Sequence, residues 1–445
     1  MRGETRARSG YESAKEFILP SSTPSQRMHI QNEKDVCLLT GGSDRPYVFG
    51  LTTALIPMGA TIDLIGSDEL EFPEFNSLDG LRFHNLRGSS RRDVSPWMKV
   101  SRIAKYYFRL IRFAISARPK LFHILWNNKF EYFDRTLLML FYRLLGKKVV
   151  ITVHNVNTRK RDLTDGFINR WTLKVQYGLA QHLFVHTEKM REELIEEFKV
   201  RAERVSVIPF GINNAVPRTA LKPSAAKERL KLNPEHKAIL FFGRITPYKG
   251  LDMLLPVFRK LALTDNNYRL IIAGRPDNCD EYWASVRSDL EEDVRSGSIL
   301  LYDDFIPDDQ VEVYFKAADT LILPYRDIYQ SGVLFLGQSF GLPVLASDVG
   351  SLKNEIVEGE NGYVFDLKSA AGMEETIGRY FSSELYQDLD RQREKICRTA
   401  MALHSWDEVA RATLKVYSDL TNVAPGDLAD ENKTRAAASA DAKIN

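Results

Sequence analysis

The chain has 445 residues, a net charge of +2 and 44% hydrophobic residues, a length and composition that predict two globular α/β domains. Its three cysteines, Cys37, Cys279 and Cys397, are too far apart in sequence for a disulfide framework or a metal site, which favours a reducing compartment. No uncharged apolar run is long enough for a membrane-spanning helix, and the polar residues 1–34 predict a flexible tail rather than a secretory signal.

Positive charge is concentrated in one part of the sequence. From Arg82 to Lys174 there are 21 Lys and Arg residues against 5 Asp and Glu residues, so this segment carries +16 and the rest of the chain carries −14. Such an asymmetry predicts an anionic partner for the N-terminal half.

From residue 35 to residue 215, short apolar runs alternate with helical patterns. The predicted strands are Val36–Leu39, Thr61–Ile65, Leu121–Leu125, Val149–Val153, Leu183–Val185 and Val205–Ile208. The predicted helices are Val48–Met58, Lys99–Ala117, Arg135–Leu145, Ile168–Tyr177 and Glu188–Phe198. Strands that alternate with helices predict a doubly wound parallel sheet, whose ligands bind beyond the carboxyl ends of the strands.

Two glycines, Gly41 and Gly42, follow the first predicted strand. Because glycine has no Cβ, its backbone can approach a phosphate or a sugar closely, and an ordinary tight turn explains the pair equally well. The glycines lack the spacing of a dinucleotide-binding loop, so no dinucleotide is predicted.

His154 directly follows the predicted strand Val149–Val153, so its imidazole should lie at the mouth of a ligand cleft. A polar ring there can hydrogen-bond a sugar hydroxyl or stabilise charge, and a purely structural histidine is the alternative. His186 follows another strand in the same way, but Thr187 is a good N-cap for the next helix, and capping alone explains that segment.

Residues 96–120 contain seven Lys and Arg residues, no acidic residue, and interleaved aromatic residues. A basic amphipathic helix of this kind can lie on an anionic membrane surface, while a helix with its apolar stripe in the domain core is the alternative. We predict no nucleic-acid binding, because no recognition module accompanies the charge.

A polar linker is predicted at 216–236, after which the alternation of strands and helices repeats over 237–405. The predicted strands of this second domain are Ala238–Phe242, Tyr268–Ala273, Ile299–Tyr302, Thr320–Leu323 and Val344–Ala346. A last helix is predicted at 406–423. Residues 424–445, rich in Ala, Asp and Lys, predict a disordered tail.

The turn after strand Ala238–Phe242 carries two cations. Gly243 ends the strand, Arg244 and Lys249 follow, and an amphipathic helix begins directly after Lys249. The free amides and the dipole of a helix N-terminus favour an anion, to which Arg adds a bidentate fork and Lys a point charge. The pattern predicts a diphosphate ligand, with two solvated surface cations as the alternative.

This turn resembles the donor-phosphate loop of the retaining glycosyltransferases of family 4. The segment 323–348 resembles that family's second signature, and the residues 341–344 and 347–348 fix its register. The resemblance implies the α/β fold called GT-B, in which two Rossmann-like domains with doubly wound parallel sheets face each other across a cleft. The last helix, here 406–423, then crosses back to the first domain. It also implies that Arg244 and Lys249 hold the diphosphate of a nucleotide-sugar.

The resemblance implies roles for other residues at strand ends. His154 would contact the transferred sugar, and the glycine pair after the first strand would lie near the donor phosphates and the acceptor. The loops that contain Gly274, Arg275 and Ile306 would hold the nucleotide base, largely through backbone groups. Glu355 matches a further position of the family, with an ordinary helix residue as the alternative.

The chain departs from the family pattern at two carboxylates. The family has two Glu residues eight positions apart, and the matching residues here are Ile328 and Leu336. In one interpretation, the neighbouring Asp327 supplies a carboxylate, and the helix that begins near Ser331 and Gly332 supplies amides to phosphate. In the other, the protein binds a nucleotide-sugar poorly or not at all.

The resemblance, taken with the residues, predicts a retaining transferase that moves a sugar from a UDP- or GDP-linked donor to a glycan or lipid-linked acceptor, without a metal ion. Surface polysaccharide or glycolipid assembly is the expected setting. A catalytically degenerate nucleotide-sugar-binding or scaffold protein, and a sugar-nucleotide epimerase or hydrolase of the same fold, are the alternatives. We expect the chain in the cytoplasm, with peripheral attachment to the inner face of the membrane through residues 96–120 as an open option.

Overall fold

The computed structural model of the protein describes residues 35–41, 44–89, 95–162, 164–367 and 369–422. The predicted tails at 1–34 and 424–445, and the candidate residue Gly42, lie outside these ranges. No helix within the described ranges is long and apolar enough to cross a membrane.

The first sheet contains seven parallel strands. They are Asp35–Leu39 (β1), Thr61–Gly66 (β2), Leu81–Asn85 (β3), Leu121–Ile124 (β4), Lys148–Thr152 (β5), His182–Val185 (β6) and Val205–Val207 (β7). Their order across the sheet is β3-β2-β1-β4-β5-β6-β7, and Val36 of β1 lies beside both Ile62 and Leu121. The strand order reverses between β1 and β4, so the topological switch point, where open α/β sheets bind ligands, lies between these two strands.

The second sheet contains six parallel strands. They are Lys237–Phe242 (β8), Tyr268–Ala273 (β9), Ile299–Tyr302 (β10), Thr320–Leu323 (β11), Val344–Ser347 (β12) and Gly362–Phe365 (β13). Their order is β10-β9-β8-β11-β12-β13, so the equivalent switch point lies between β8 and β11. Two parallel sheets of this kind confirm the predicted fold class.

Helices connect the strands of both sheets. Around the first sheet they are Arg45–Leu55 (α1), Pro96–Ser116 (α2), Glu131–Phe133 (α3), Met139–Leu144 (α4), Thr158–Arg161 (α5), Phe167–Leu179 (α6) and Glu188–Glu196 (α7). The later ones are Pro223–Arg229 (α8), Leu251–Thr264 (α9), Asp280–Ser296 (α10), Asp308–Ala317 (α11), Gly332–Ser339 (α12), Ala370–Phe381 (α13), Glu384–Gln387 (α14), Leu389–Leu403 (α15) and Trp406–Asn422 (α16).

Each sheet is covered by helices on both faces. In the first lobe, which we define as the first sheet and its helices, α2, α4, α6 and α7 pack on one face, and α1 packs with α16 on the other. In the second lobe, α8, α11 and α12 pack on one face, and α9, α10, α13 and α15 on the other. These buried clusters explain why the central strands are mostly apolar.

The structure differs from the prediction in three places. The edge strands β3 and β13 were not predicted. The sequence of β3, Leu81–Asn85, lacks the continuous apolar run of a central strand, and β13 is a short strand of four residues, Gly362–Phe365. In β3, Arg82 and His84 instead hydrogen-bond Asp63 of β2, at 2.6 and 2.9 Å. The predicted linker 216–236 contains α8, and its Ala226 is fully buried in the core of the second lobe.

Helix α16 packs on the first lobe. Its Trp406 Nε1 donates a hydrogen bond to the Ile212 carbonyl at 2.7 Å, and a Cβ on Gly50 or Gly211 would lie within 2.3 Å of the Trp406 ring. Further along the helix, the Tyr417 hydroxyl lies 2.6 Å from His123 Nδ1. The Trp406 indole can therefore pack against the first lobe only because residues 50 and 211 are glycines without a Cβ.

The carboxyl ends of both sheets meet at the cleft between the lobes. Arg161 of the first lobe lies 4.0 Å from the centre of the Tyr248 ring of the second. The Tyr329 hydroxyl of the second lobe donates to Glu193 Oε2 of the first at 2.5 Å. The loops that follow the strands are thereby brought into contact across the cleft.

Candidate active site

The candidate phosphate loop joins β8 to α9. It starts at Gly243 and ends at Gly250, whose φ angles of 94° and 71° suit a residue without a Cβ. The Gly243 amide donates to the Ala273 carbonyl and the Ile245 amide to the Arg275 carbonyl, both at 2.9 Å. These bonds tie the loop to the one that follows β9.

The predicted base-binding loops lie beside the phosphate loop. Gly274 has a φ of 141°, and a Cβ on it would lie 2.2 Å from the Gly243 carbonyl oxygen, so only glycine fits where the two loops touch. The Arg275 guanidinium lies 5.8 Å from the centre of the Phe305 ring, which is exposed. Ile306 packs partly buried against the second-lobe core. This edge of the second lobe thus presents an aromatic face and backbone groups.

Lys249 is only 5% exposed. Its Nζ makes one hydrogen bond among the described residues, to the Phe242 carbonyl oxygen at 3.4 Å, and lies 5.5 Å from the centre of the Tyr325 ring. Burial, and then the charges of nearby arginines, lowers the pKa of Lys249 to about 7. An ammonium group has three donors, so this one keeps unused donors in a poorly solvated place, which suits an anionic ligand.

Arg244 lies on the cleft side of the same loop. Its side chain is exposed, and it donates to Asp277 Oδ2 at 3.1 Å. Its charge also acts on Asp44 of the first lobe, at the start of α1. Burial raises the pKa of this carboxyl group, while the hydrogen bond from the Tyr47 amide and the charge of Arg244 lower it. The guanidinium is therefore placed between the two lobes.

The N-terminus of α12 lies next to the buried ammonium. A Cβ on Gly243 would lie 2.9 Å from Lys249 Nζ and 3.3 Å from Val333 Cγ2 in the first turn of α12. Ser331, the buried N-cap residue, makes no capping hydrogen bond, and Gly332 after it is exposed. The Leu334 amide donates to the Ser331 carbonyl at 3.1 Å, and the Gly332 and Val333 amides before it have no acceptor four residues back in this helix. The site therefore combines a cation with N–H donors of a helix N-terminus.

The two positions at which the family has carboxylates are buried and apolar. Ile328 and Leu336 are 8% and 6% exposed and belong to the second-lobe core. The neighbouring Asp327 is exposed. Burial alone would lower the pKa of Arg161, but the nearby carboxylates of Asp162 and Asp327 help to raise it above its usual value. Asp327 is thus an accessible carboxylate close to a cation of the first lobe.

Glu355 has a partner away from the phosphate loop. Its Oε2 lies 3.3 Å from His404 Nε2, and the His404 ring packs 4.6 Å from the Phe335 ring of α12. The Glu355 backbone carbonyl accepts from Gln338 Nε2 at 3.1 Å. These contacts link α12 to the end of α15, and the carboxylate makes none with Lys249 or Arg244.

Gly41 lies where β1 meets the loop after β4. Its φ is 58°, and a Cβ would lie 2.4 Å from the Asn127 carbonyl oxygen and 2.7 Å from that of Trp126. The Arg87 guanidinium donates to the Gly41 carbonyl. The close approach of two backbones, rather than a ligand, is enough to require glycine here.

His154 is held by three aromatic neighbours at the end of β5. Its ring stacks on Trp126 at 3.9 Å and meets the Tyr47 ring edge-on at 4.6 Å. Its Nδ1 lies 3.2 Å from His186 Nε2, and its buried Nε2 has no hydrogen-bond partner among the described residues. Burial, followed by the neighbouring His186, holds the pKa of His154 far below its usual value, so the ring is neutral.

The tautomer of this pair follows from its hydrogen bonds. Burial lowers the pKa of His186 to about 4, so this ring is neutral too. Its Nδ1 faces the Ile208 carbonyl oxygen at 3.3 Å and must carry the proton, which leaves its Nε2 as an acceptor. His154 therefore donates from Nδ1, and its free Nε2 is a lone-pair acceptor suited to a hydroxyl group.

A cavity of about 390 Å³ opens beside His154 at the carboxyl ends of β1, β4 and β5. Gly41 and His154 line it together with many polar side chains: Arg87, Asn127, Asn128, Lys129, Glu131, Arg135, Asn155, Asn157, Thr158 and Gln176. The described residues contain no group of three or more His, Cys, Asp or Glu side chains that could hold a metal ion. The cavity is suited to a ligand rich in hydroxyl groups.

The sequence-based prediction missed several residues of this site. Trp126 and Asn127 follow β4 directly, and the rule that ligands lie beyond strand ends could have selected them. His186 was explained by the adjacent cap, which Thr187 indeed makes through a 3.2 Å bond from the Met190 amide. The contact of His186 with His154 depends on the pairing of β5 with β6, which no local sequence pattern reveals.

Comparison with known proteins assigns both lobes to sugar transferases. A family model described as Glycosyltransferase Family 4 matches residues 45–216, and one described as Glycosyl transferases group 1 matches residues 224–397. The D-inositol 3-phosphate glycosyltransferase of Acidothermus cellulolyticus is 27% identical over 244 residues, which cover 54% of this chain and 53% of that protein. The chain spans about half the length of the curated relatives it matches.

Solved structures share the architecture of both lobes. Sucrose-phosphate synthase from Thermosynechococcus elongatus has a TM-score of 0.67 at 16% identity, over 87% of this chain and 99% of that one. HepE from Anabaena, in complex with UDP and glucose, has a TM-score of 0.65 at 14% identity, over 88% of this chain and 100% of that one. The two lobes thus form a GT-B fold, and with one family model on each lobe, the chain is a glycosyltransferase that belongs to family 4.

Proposed function

We propose that this glycosyltransferase is a retaining enzyme that transfers a sugar from a UDP- or GDP-linked donor to a glycan or lipid-linked acceptor. Surface polysaccharide or glycolipid assembly is the setting that we propose. The observation that carries the proposal is the buried Lys249 ammonium, which lies between the Phe242 carbonyl and the start of α12 with unused donors. The UDP and glucose bound to the similar fold of HepE support a nucleotide-sugar donor.

In this proposal the second lobe activates the donor. Lys249, Arg244 and the first amides of α12 hold the diphosphate, and the loops at Gly274, Arg275 and Ile306 hold the base. When the bond between the sugar and the diphosphate breaks, negative charge develops on the leaving phosphate, and fixed cations and amides stabilise it without reorganisation. This role requires no metal ion.

The first lobe receives the acceptor in this proposal. The cavity beside His154 holds the acceptor, whose hydroxyl oxygen attacks the sugar on the face from which the diphosphate leaves. His154 Nε2 accepts a hydrogen bond from a hydroxyl of the transferred sugar, and Asp327 contributes a carboxylate from the second lobe. The inositol phosphate named for the curated relatives supports an acceptor rich in hydroxyl groups.

A second candidate function is a nucleotide-sugar-binding protein without turnover. Two apolar, buried residues, Ile328 and Leu336, at the family's carboxylate positions favour it. Such a protein would bind the nucleotide-sugar but would neither transfer the sugar to an acceptor nor hydrolyse the donor. An epimerase or hydrolase would consume the donor with no acceptor present.

The experiment that tests the transferase is a thermal-shift screen with UDP, GDP and ADP and their common sugars, followed by transfer assays with the stabilising donor. We expect one nucleotide to stabilise the protein selectively, and NMR of the product should show the anomeric configuration of the donor. Stabilisation without transfer to any acceptor would support the binding protein, and donor consumption without an acceptor would support the epimerase or hydrolase. An inverted product would overturn the retaining mechanism.

We further propose peripheral attachment of the first lobe to the anionic inner face of the membrane from the cytoplasm. Helix α2 buries one stripe, which includes Tyr107 and Leu110, as the core interpretation of the sequence expects. A second stripe stays exposed: Trp97, Phe108 and Ile115 are 85%, 69% and 63% exposed. Their spacings of 11 and 7 residues are about three and two helical turns, so they share one face beside the basic residues.

Trp97→Ser combined with Phe108→Ser should weaken binding to phosphatidylglycerol vesicles by at least about tenfold, because each large apolar side chain is worth about 1.5–3 kcal/mol when fully buried and about 1.4 kcal/mol is a factor of ten. Co-sedimentation with vesicles measures the partition coefficient. Leu263→Ser, at an equally exposed residue of the second lobe, is the matched control and should leave binding unchanged. Equal binding of the double variant and the wild type would refute this membrane surface.

A further inference from the structure

A second cavity lies at the end of the first lobe opposite the cleft, at the amino ends of β5 and β6. Its volume is about 470 Å³, within the range of about 300–1,000 Å³ that is common for small-molecule sites. Its walls come from the C-terminal ends of α4 and α6, from the segment before β7, and from Leu420 of α16. No residue of the candidate active site lines it.

The lining of this cavity is strongly basic. Five of its eleven lining residues are cations, and none is acidic: Arg143, Lys147, Lys148, Arg201 and Arg204. One acidic neighbour is Glu203, whose Oε1 lies 3.5 Å from Arg201 Nε on the protein surface. The cations therefore outnumber their carboxylate partners, and an anion is the missing counter-charge.

Three of the cations also hold the backbone. Lys147 Nζ donates to the Ala117 carbonyl at 2.6 Å and to the Pro119 carbonyl at 2.9 Å. Arg204 donates to carbonyls at the end of α6, including that of Tyr177 at 2.9 Å, and Lys148 donates to the Leu420 carbonyl. Carbonyl oxygens satisfy the donors of these groups but leave their full charges uncompensated.

Arg143 has no such structural task. Its guanidinium makes no hydrogen bond and no ion pair with any part of the chain that the structure describes, although its backbone carbonyl accepts from the Gly146 amide at 3.0 Å. Arg143 is an exposed residue, and partial burial lowers the pKa of its guanidinium. Burial, followed by the charges of Arg143 and Lys120, lowers the pKa of Lys148. Burial and then Arg201 and Arg143 lower the pKa of Arg204. The cations thus repel one another at close range, which a bound anion would relieve.

We propose that this cavity binds a phosphate ester, with the phosphate group held by Arg143 and Arg201 and by the positive field of the three anchored cations. A guanidinium presents a planar fork that matches two phosphate oxygens. The cavity is larger than one phosphate group, and Gly146, Gly178 and Leu179 in its wall leave room for an organic moiety. The ligand is therefore either a soluble phosphate ester or the headgroup of an anionic phospholipid.

The test uses the full chain with the candidate donor site disabled by Lys249→Met, so that phosphate binding there does not interfere. Glycerol 3-phosphate is titrated at constant ionic strength, with glycerol as the uncharged control, and the thermal shift gives the apparent affinity. In parallel, co-sedimentation compares vesicles that contain phosphatidylglycerol with vesicles of phosphatidylcholine alone. Arg143→Gln is the test variant, and Arg229→Gln, an exposed arginine of α8, is the matched control.

We expect Arg143→Gln to weaken binding of the phosphate ester by about tenfold, as for a lost charge-assisted fork, while Arg229→Gln leaves it unchanged. Arg201→Gln should act in the same direction, and it replaces Arg143→Gln if that variant fails to fold. A loss confined to glycerol 3-phosphate identifies a soluble ester, and a loss confined to phosphatidylglycerol vesicles identifies a lipid headgroup. The proposal is overturned if neither ligand depends on Arg143 and Arg201, or if Arg229→Gln has an equal effect. None of these outcomes depends on whether the chain transfers a sugar.

Discussion

Replacing Lys249 with methionine should lower kcat/KM for sugar transfer by about 10²–10³-fold, the effect of losing one fixed donor to a developing negative charge. Methionine keeps the length and the apolar contacts of the buried lysine stem and removes only the ammonium, which lies 3.4 Å from the Phe242 carbonyl. Initial rates with the donor found in the nucleotide screen measure the effect. Arg244→Ala should act in the same direction with a smaller change in stability, because its side chain is exposed.

Lys415→Met, on the exposed side of α16, is the matched control and should transfer at the wild-type rate. The pH dependence adds a second readout, because Lys249 has a pKa of about 7 in the free protein. Its ammonium is present below that pH and is lost above it, so donor affinity should fall by up to about tenfold per pH unit above pH 7. A wild-type rate in Lys249→Met, or an unchanged pH dependence, would show that this loop does not hold the diphosphate.

Replacing His154 with phenylalanine should lower kcat/KM by about tenfold to a hundredfold, through the loss of one hydrogen bond worth about 1–3 kcal/mol in a buried site. Phenylalanine keeps the ring that stacks on Trp126 at 3.9 Å and removes the acceptor nitrogen Nε2. Donor binding by the second lobe should persist, since the diphosphate contacts are on the opposite side of the cleft. Initial rates together with nucleotide titrations separate the two effects.

His182→Phe is the control for loss of a buried imidazole, because His182 bonds Ser206 at 2.9 Å at the far end of β6. It should change stability and leave transfer unaffected. His186→Phe should mimic His154→Phe in part, since the Nδ1 proton of His154 then loses its acceptor and the tautomer is no longer set. If His154→Phe transfers normally, the imidazole does not contact the sugar and its role is packing alone.

The sequence predicted best the features that neighbouring residues create together. The strand before Gly243, the two cations after it and the helix that follows lie within one short segment, so their pattern could be recognised without any long-range contact. The edge strand Leu81–Asn85 escaped prediction because its polar residues are satisfied by Asp63 of another strand. In the same way, the linker predicted at 216–236 is polar in sequence, yet α8 buries its apolar side in the second lobe.

The sequence by itself determined the alternation of strands and helices, the two parallel sheets and the basic, glycine-flanked loop, because periodicity and turn chemistry are local properties. Only the tertiary structure decided that the Lys249 ammonium is buried beside α12, and that Ile328 and Leu336 belong to a core. It also decided that His154, which lines a cavity, is paired with a histidine 32 residues away and keeps a buried Nε2 with no hydrogen-bond partner among the described residues. Burial and hydrogen-bond partners depend on segments that are distant in the chain, and these partners set the charge and the tautomer of each group.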